Sequence, residues 1–454
     1  MKRLKKIIAI ALISITLVSF SACDNKNSNT GSKTQISSEE EKKIASKADT
    51  FINLLKEQNN EEMYKLVDDT FKSKIDFDKF KETNASLNSL GAIKSTEISK
   101  VEKIKDDYAV EYKTTFETAG VMTLRIALTA DGKVMGYFLQ PYKEVKKEEA
   151  SDKYKSEEVT IGSDPWKLPG TLLIPKGSKE KLKVVVLVHG TGANSRDEDI
   201  MGNAPFRDIA KGLAEKGIAV LKYDKRNLVY GPENEGWKGN TTPETLTVDD
   251  AIEAVNYLKG REEIDPNGIF VLGHSIGGYY MPKIYERESD LAGYISLAGT
   301  IKDTFEDLVM YQGDYLTKLD GKIDDDDKKI LEQFETDYAN IKDLKSGKEV
   351  AAETMFGYPH EYWLSLKEYD PLKMMQTIDK PMLMLQGSND YQVPASYYEY
   401  YKNELSDKNN FEFKLYDGLT HLFMEGEPTP DAYSIPSHVD EKVIGDIAEW
   451  IKKN

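Results

Sequence analysis

Val271-Leu272-Gly273-His274-Ser275-Ile276-Gly277-Gly278 is the stretch on which the reading of this chain turns. Ile269 to Leu272 is a short apolar run, as expected of a strand buried on both faces. Tyr279, Tyr280, Met281, Ile284 and Tyr285 follow at spacings that suit a helix. A serine between two glycines at a strand-to-helix corner is a nucleophile-elbow pattern. The corner is sharp, so the neighbours two before and two after the serine must lack side chains. The hydroxyl is then exposed, and the N–H of Ile276 points where a developing oxyanion would sit, at a helix N-terminus.

Outward from this corner, strands and helices alternate. Residues 184–188 form a continuous β-branched and leucine run, 218–223 another strand, and 294–298, 381–385 and 411–416 three more. Residues 159–161 and 172–175 read as paired opening strands around Pro169-Gly170. Ile209, Leu213 and Ala214 mark one amphipathic helix, and Ala251, Ala254, Val255 and Leu258 another; residues 439–451 read as a closing helix. The pattern predicts an α/β fold, a mostly parallel doubly wound sheet covered on both faces, over residues 155–454. Residues 302–375 interrupt the alternation and read as a helical lid insertion. Within it, Asp324-Asp325-Asp326-Asp327 precedes Ile330, Leu331 and Phe334 at helical spacing. Acidic residues there complement the helix dipole, whereas a calcium loop would need alternating ligands and a turn glycine.

Residues 38–145 differ in pattern. Ser38 and Glu41 stand in capping-box positions before Ile44, Ala48, Phe51 and Leu55. Further helical turns follow around Met63–Phe71, Phe77, Phe80 and Leu87 to Leu90. Alternating apolar residues at 108–116, 122–128 and 134–139 then predict an antiparallel meander, hence a small α+β domain. It has no histidine and no catalytic constellation. It reads as a spacer or wall, or as a module that binds a substrate or partner.

The N-terminus carries Lys2, Arg3, Lys5 and Lys6, then an apolar run over residues 7–20, then Ser21-Ala22-Cys23. This resembles a bacterial lipoprotein signal, with residues 1–22 removed and Cys23 lipidated, although Phe20 stands where leucine is usual. An ordinary secretory signal with a chance cysteine is the alternative. Residues 23–37, polar and rich in Asn, Ser and Lys, read as a flexible tether. Cys23 is the single cysteine, so no intrachain disulfide can form. The expected partners are therefore a membrane, through the lipid anchor, and a small-molecule substrate. A formal charge of −17 argues against nucleic acid, whose phosphates would be repelled.

An activated serine needs a base, and the base needs an orienting carboxylate. The chain has five histidines. His189 opens a glycine loop after a buried strand, His274 adjoins the serine and points elsewhere, His360 lies in the lid, and His438 starts the last helix. His421 alone follows a late strand, on the side where doubly wound sheets build their sites. Asp390 runs off the strand at 381–385 and is the preferred acid; Asp303 is the second candidate. The order Ser275, Asp390, His421 suits this fold. His189-Gly190-Thr191-Gly192 should complete an oxyanion hole, with the Thr191 N–H beside that of Ile276 and Gly192 behind it.

Together His189-Gly190-Thr191-Gly192, Tyr223-Asp224-Lys225-Arg226, Gly273-His274-Ser275-Ile276-Gly277 and Asp390 with His421 resemble an α/β-hydrolase of the serine esterase type. Arg196-Asp197-Glu198 is similar to a subgroup of bacterial esterases with an extra N-terminal domain, and the first domain resembles the NTF2-like type. The resemblance implies hydrolysis of short-chain acyl esters without metal or cofactor. The same frame also supports peptidases and acyltransferases. A binding lipoprotein with an inert hydrolase domain is the reading from another class. The aromatic residues Tyr311, Tyr315, Phe356, Tyr358, Tyr362 and Trp363 of the lid are candidates for an acyl or alcohol pocket.

Overall fold

The computed structural model describes residues 36–104, 106–117, 119–141, 151–230 and 241–454. Cys23, the signal and most of the tether lie outside them. The described residues divide into two compact units, 36–141 and 151–454.

The first unit begins with α1 (Ser38–Lys56), which buries Ile44, Ala48, Phe51, Ile52 and Leu55. Its cap is Ser37 rather than Ser38: the Ser37 hydroxyl accepts the Glu40 N–H at 3.2 Å. Three short helices follow, α2 (Asn60–Leu66), α3 (Asp69–Lys74) and α4 (Phe77–Ser86), with Asn59, Asp68 and Asp76 as their caps. Then come β1 (Ile93–Ile104), β2 (Asp107–Phe116), β3 (Gly120–Leu128) and β4 (Val134–Pro141), antiparallel in that order. Strand β1 is the element that the sequence pattern does not announce. Its residues are exposed or half-buried throughout, so no alternation of apolar side chains is needed.

The second unit is built on an eight-stranded sheet. In chain order its first part is β5 (Tyr154–Ile161), β6 (Leu168–Pro175), β7 (Leu182–Val188), α5 (Pro205–Glu215), β8 (Ala219–Tyr223), α6 (Arg226–Val229), α7 (Asp249–Lys259) and β9 (Ile264–His274). The elbow follows, with α8 (Ile276–Tyr279), α9 (Met281–Arg287) and β10 (Gly293–Leu297). The lid then contributes α10 (Phe305–Thr317), α11 (Asp325–Lys345), a small hairpin β11 (Thr354–Met355) with β12 (Tyr358–Pro359), α12 (His360–Ser365) and α13 (Pro371–Met375). The chain closes with β13 (Met382–Gly387), α14 (Ala395–Glu404), β14 (Phe411–Tyr416) and α15 (Glu441–Lys453).

Across the sheet the order is β14-β13-β10-β9-β7-β8-β6-β5. β6 runs antiparallel to both neighbours, and the strands from β8 to β14 pair in parallel. This is the mostly parallel sheet that the sequence pattern predicts, and it suits the fold that the resemblance implies. The continuous apolar runs have a direct cause. Val184, Val186 and Val188 pack into one core layer, and Val185 and Leu187 into the layer on the opposite face.

Two details differ from expectation, and a third agrees with it. Pro169 and Gly170 are not a turn but lie inside β6, paired with Thr160 and Val159 of β5. The proline is tolerated because the β8 ladder begins one residue later, at Gly170. His438 lies before the last helix, whose cap is Asp440. The acidic run in the lid is a capping box: Asp324 accepts the Asp327 N–H at 3.0 Å, and the Asp327 carboxylate accepts the Asp324 N–H at 3.1 Å. Among the described residues no helix is long and apolar enough to cross a membrane.

Candidate active site

Ser275 occupies the corner between β9 and α8 with φ 53° and ψ −115°, a left-handed conformation that costs a non-glycine residue of order 1–3 kcal/mol. The glycines around it are needed for space. A Cβ on Gly273 would lie 2.4 Å from the Gly277 carbonyl, and one on Gly277 would lie 2.5 Å from the Val188 oxygen. The Ser275 N–H donates to the Leu297 carbonyl at 2.8 Å, which ties the corner to the end of β10.

Asp390 sits in the loop after β13 and is 4% exposed. Its Oδ1 accepts the N–H groups of Gln392 (2.8 Å) and Val393 (2.9 Å). Its Oδ2 accepts Gln386 Nε2 (2.9 Å) and His421 Nδ1 (2.7 Å). Donors on both oxygens fix the carboxylate's orientation. A carboxylate facing Nδ1 assigns the proton to that nitrogen, which leaves Nε2 as the basic atom. Nε2 makes no hydrogen bond among the described residues. Asp303, the second candidate acid, is elsewhere: it bonds Tyr397 and lies 4.0 Å from the Lys302 ammonium.

The loops after β13 and β14, which carry Asp390 and His421, are knitted together. The Asn389 N–H donates to the Leu419 carbonyl (2.9 Å), the Asn389 amide to the Gly426 carbonyl (2.8 Å), and the Gly418 N–H to the Ser388 hydroxyl (2.8 Å). A Cβ on Gly387 would stand 2.3 Å from the Leu419 oxygen, so the close passage depends on glycine. His421 in turn meets the elbow through His274. The two rings are 4.7 Å apart, and His274 Nε2 donates to the His421 carbonyl at 3.0 Å.

The glycine loop after β7 lies against the serine: a Cβ on Gly190 would come within 3.2 Å of the Ser275 Cβ. The N–H groups of Thr191 and Ile276 make no turn or loop hydrogen bond among the described residues. Gly192 takes φ 97°, and Asn194 Nδ2 donates to the carbonyls of Gly190 (3.2 Å) and Thr191 (3.0 Å), which holds the loop's shape. Lys225 Nζ donates to the same Gly190 carbonyl at 2.5 Å.

Two buried groups lie beneath this loop. Burial pulls His189 down to about 4, so it is neutral at pH 7, packed against the rings of Phe206 and Tyr223. Glu198 is 1% exposed. Burial pushes its carboxyl up, but His274, His189 and the Gly190 N–H outweigh that and hold it below the usual carboxylate range. Glu198, Lys225 and Gly387 are residues to which sequence reasoning assigned no role. Arg196-Asp197-Glu198 stood out as a shared triplet, but nothing in its spacing tells that the glutamate turns inward.

Of the six lid aromatics, Phe356, Tyr362 and Trp363 are buried in the core layer that also covers one face of the sheet, where the Tyr362 and Tyr280 hydroxyls are hydrogen-bonded at 2.9 Å, and Tyr358 stacks on Tyr362 at 4.0 Å. Tyr311 and Tyr315 instead approach the acid loop. Tyr315 stacks on Tyr391 (5.6 Å between centroids) and donates to the Pro428 carbonyl at 2.7 Å; Tyr311 lies 6.2 Å from Tyr397.

Residues 179–429 match the family described as serine aminopeptidase, S33, and residues 48–137 match a family described as a protein of unknown function, DUF3887. Esterase EstD of Thermotoga maritima is 34% identical over 372 residues, covering 79% of this chain and 83% of that protein. Among solved structures, Est1E from Butyrivibrio proteoclasticus aligns with TM-score 0.42 at 16% identity, over 65% of this chain and 98% of that one. A Pyrococcus furiosus esterase aligns with TM-score 0.41 at 17% identity, over 66% and 91%.

Proposed function

We propose, from the premise that this chain belongs to the serine aminopeptidase S33 family of α/β-hydrolases, that it is a carboxylesterase in which Ser275, His421 and Asp390 act as nucleophile, base and orienting acid. The observation that carries this reading is the 2.7 Å bond from His421 Nδ1 to a carboxylate satisfied on both oxygens, which leaves Nε2 as the proton acceptor. Ser275 Oγ attacks the ester carbonyl and His421 Nε2 takes its proton. The oxyanion is held by the N–H groups of Ile276 and Thr191, with Gly192 shaping the loop behind them. His421 gives the proton to the leaving alkoxide, so that an alcohol departs and an acyl-serine remains. Water attacks next, again deprotonated by His421, and releases the acid and the free serine.

The finer reading is a short-chain acyl ester as substrate and an extracytoplasmic, lipid-anchored enzyme. Three of the lid aromatics are spent on the core shared with the sheet, and Tyr315 packs on Tyr391 beside Asp390, which supports a small acyl group. The signal-like N-terminus ending at Cys23 supports lipid anchoring.

The family description favours one further reading, an aminopeptidase. Such an enzyme must hold a substrate ammonium with a free carboxylate. The buried carboxylates of this site, Glu198 and Asp390, are both already engaged. Turnover of the purified chain on a panel of p-nitrophenyl acyl esters beside aminoacyl anilides tests the choice. Ester turnover falling with acyl length supports the proposal, and anilide cleavage without ester cleavage refutes it.

A further inference from the structure

We infer that Glu198 and His274 form a buried positioning pair that aligns the oxyanion loop and the catalytic histidine with respect to one another. The inference rests on the reading of Ser275 and His421 given above. Neither residue of the pair has a place in that chemistry, and each lies at a junction. Glu198 Oε1 accepts the Gly190 N–H at 2.5 Å, one peptide before the Thr191 donor. Glu198 Oε2 lies 2.8 Å from His274 Nδ1. The opposite ring nitrogen of His274 donates to the His421 carbonyl at 3.0 Å. A single path of contacts thus runs from the oxyanion loop, under the elbow, to the backbone of the base.

The chain goes to some cost to build it. A buried carboxylate loses several kcal/mol of hydration that its partners must restore. Glu198 also adopts φ 51°, a strained conformation for a side-chain-bearing residue. Both nitrogens of His274 face acceptors, a carboxylate and a carbonyl; burial disfavours the charged ring, but the Glu198 carboxylate outweighs it and shifts the ring toward its protonated form. The Nδ1 approach is off the hydrogen-bond axis, so the attraction is that of an ion pair more than of a directed hydrogen bond. The charged and titratable groups around the pair are His189, Lys225 and Asp224 on the loop side and His421 with Asp390 on the other. The Gly190 carbonyl, in the peptide that carries the Thr191 N–H, is pinned separately by Lys225 and Asn194, so the pair governs the peptide before it, through the Gly190 N–H.

A carboxylate that merely fills space could be exchanged for its amide at little cost per folded molecule. A positioning pair could not. Glu198→Gln keeps an acceptor for Gly190 but removes the charge opposite His274. Sites are counted with a fluorophosphonate, and kcat is read per labelled site. The pair predicts a fall in kcat of about 10²-fold with KM little changed, since small misplacements act on the transition state. It also predicts that adding His274→Gln to Glu198→Gln costs little more than either alone. Per-site kcat within about threefold of wild type, whatever the change in Tm, overturns the inference. Should the variants not fold, the wild-type protein decides: 15N NMR should find His274 keeping both nitrogens protonated to a higher pH than a free histidine, and a ring that loses its second proton no later than a free histidine contradicts the pair. Labelling away from Ser275 would instead remove the reading on which the inference stands.

Discussion

His421 Nδ1 and Asp390 Oδ2 are 2.7 Å apart, both side chains almost wholly buried, in loops that follow adjacent parallel strands, β14 and β13. The bond fixes which nitrogen of the base carries a proton. Asp390→Asn keeps the shape but can present an N–H to Nδ1 and stabilise the wrong tautomer. Its kcat is expected to fall by about 10³–10⁴-fold with the fold retained. Steady-state kinetics with a circular dichroism control checks this, and a loss under tenfold contradicts the role given to Asp390.

The same two loops pass at Gly387, where a Cβ would meet the Leu419 oxygen at 2.3 Å. Gly387→Ala must push the His421 loop away from β13. A loss of about 1–3 kcal/mol is expected, together with reduced activity. Urea unfolding measures the first, and an unchanged midpoint would show that the loops separate freely.

Much of this was legible in the sequence, for identifiable reasons. Strands buried on both faces leave continuous apolar runs such as Val184 to Val188, and the elbow needs glycines at fixed offsets from Ser275. That His421 and Asp390 meet was readable because strand ends on one side of the sheet converge, so order and position brought the two together. Strand β1 was missed because a half-exposed strand needs no alternation. Glu198 was missed because burial of a single acidic side chain leaves no trace in local spacing. Spacing alone does not sort the lid aromatics: periodicity cannot tell Trp363, in the core shared with the sheet, from Tyr315, stacked on Tyr391 beside Asp390.

His189 bears on acid stability. Its folded value of about 4 lies below that of an unfolded histidine, so the unfolded chain binds the extra proton. Stability contributed by the neutral ring is therefore present above the unfolded value and is lost as pH falls toward about 4. Asp250, raised by burial to about 6 beside Arg226, acts in the opposite direction over much of the same window. The comparison must therefore be between wild type and His189→Phe. Between pH 7 and about pH 5 the wild type should lose about 2 kcal/mol more than the variant. Parallel Tm profiles would contradict a neutral buried His189.

Tyr315 stacks on Tyr391, the neighbour of Asp390, and is held there by its bond to Pro428. Tyr315→Ala opens space beside the acid loop. The ratio of kcat/KM for octanoyl over acetyl esters should rise by about tenfold or more, the worth of a few buried methylenes. An unchanged ratio would place the acyl group elsewhere.

The account as a whole stands on Ser275 as the nucleophile. Treating the purified chain with a fluorophosphonate and mapping the adduct by peptide mass spectrometry tests this most directly. The account predicts one adduct, on Ser275, with ester hydrolysis lost in step with labelling and absent from Ser275→Ala. An adduct on another residue, or full ester hydrolysis by Ser275→Ala, would contradict it.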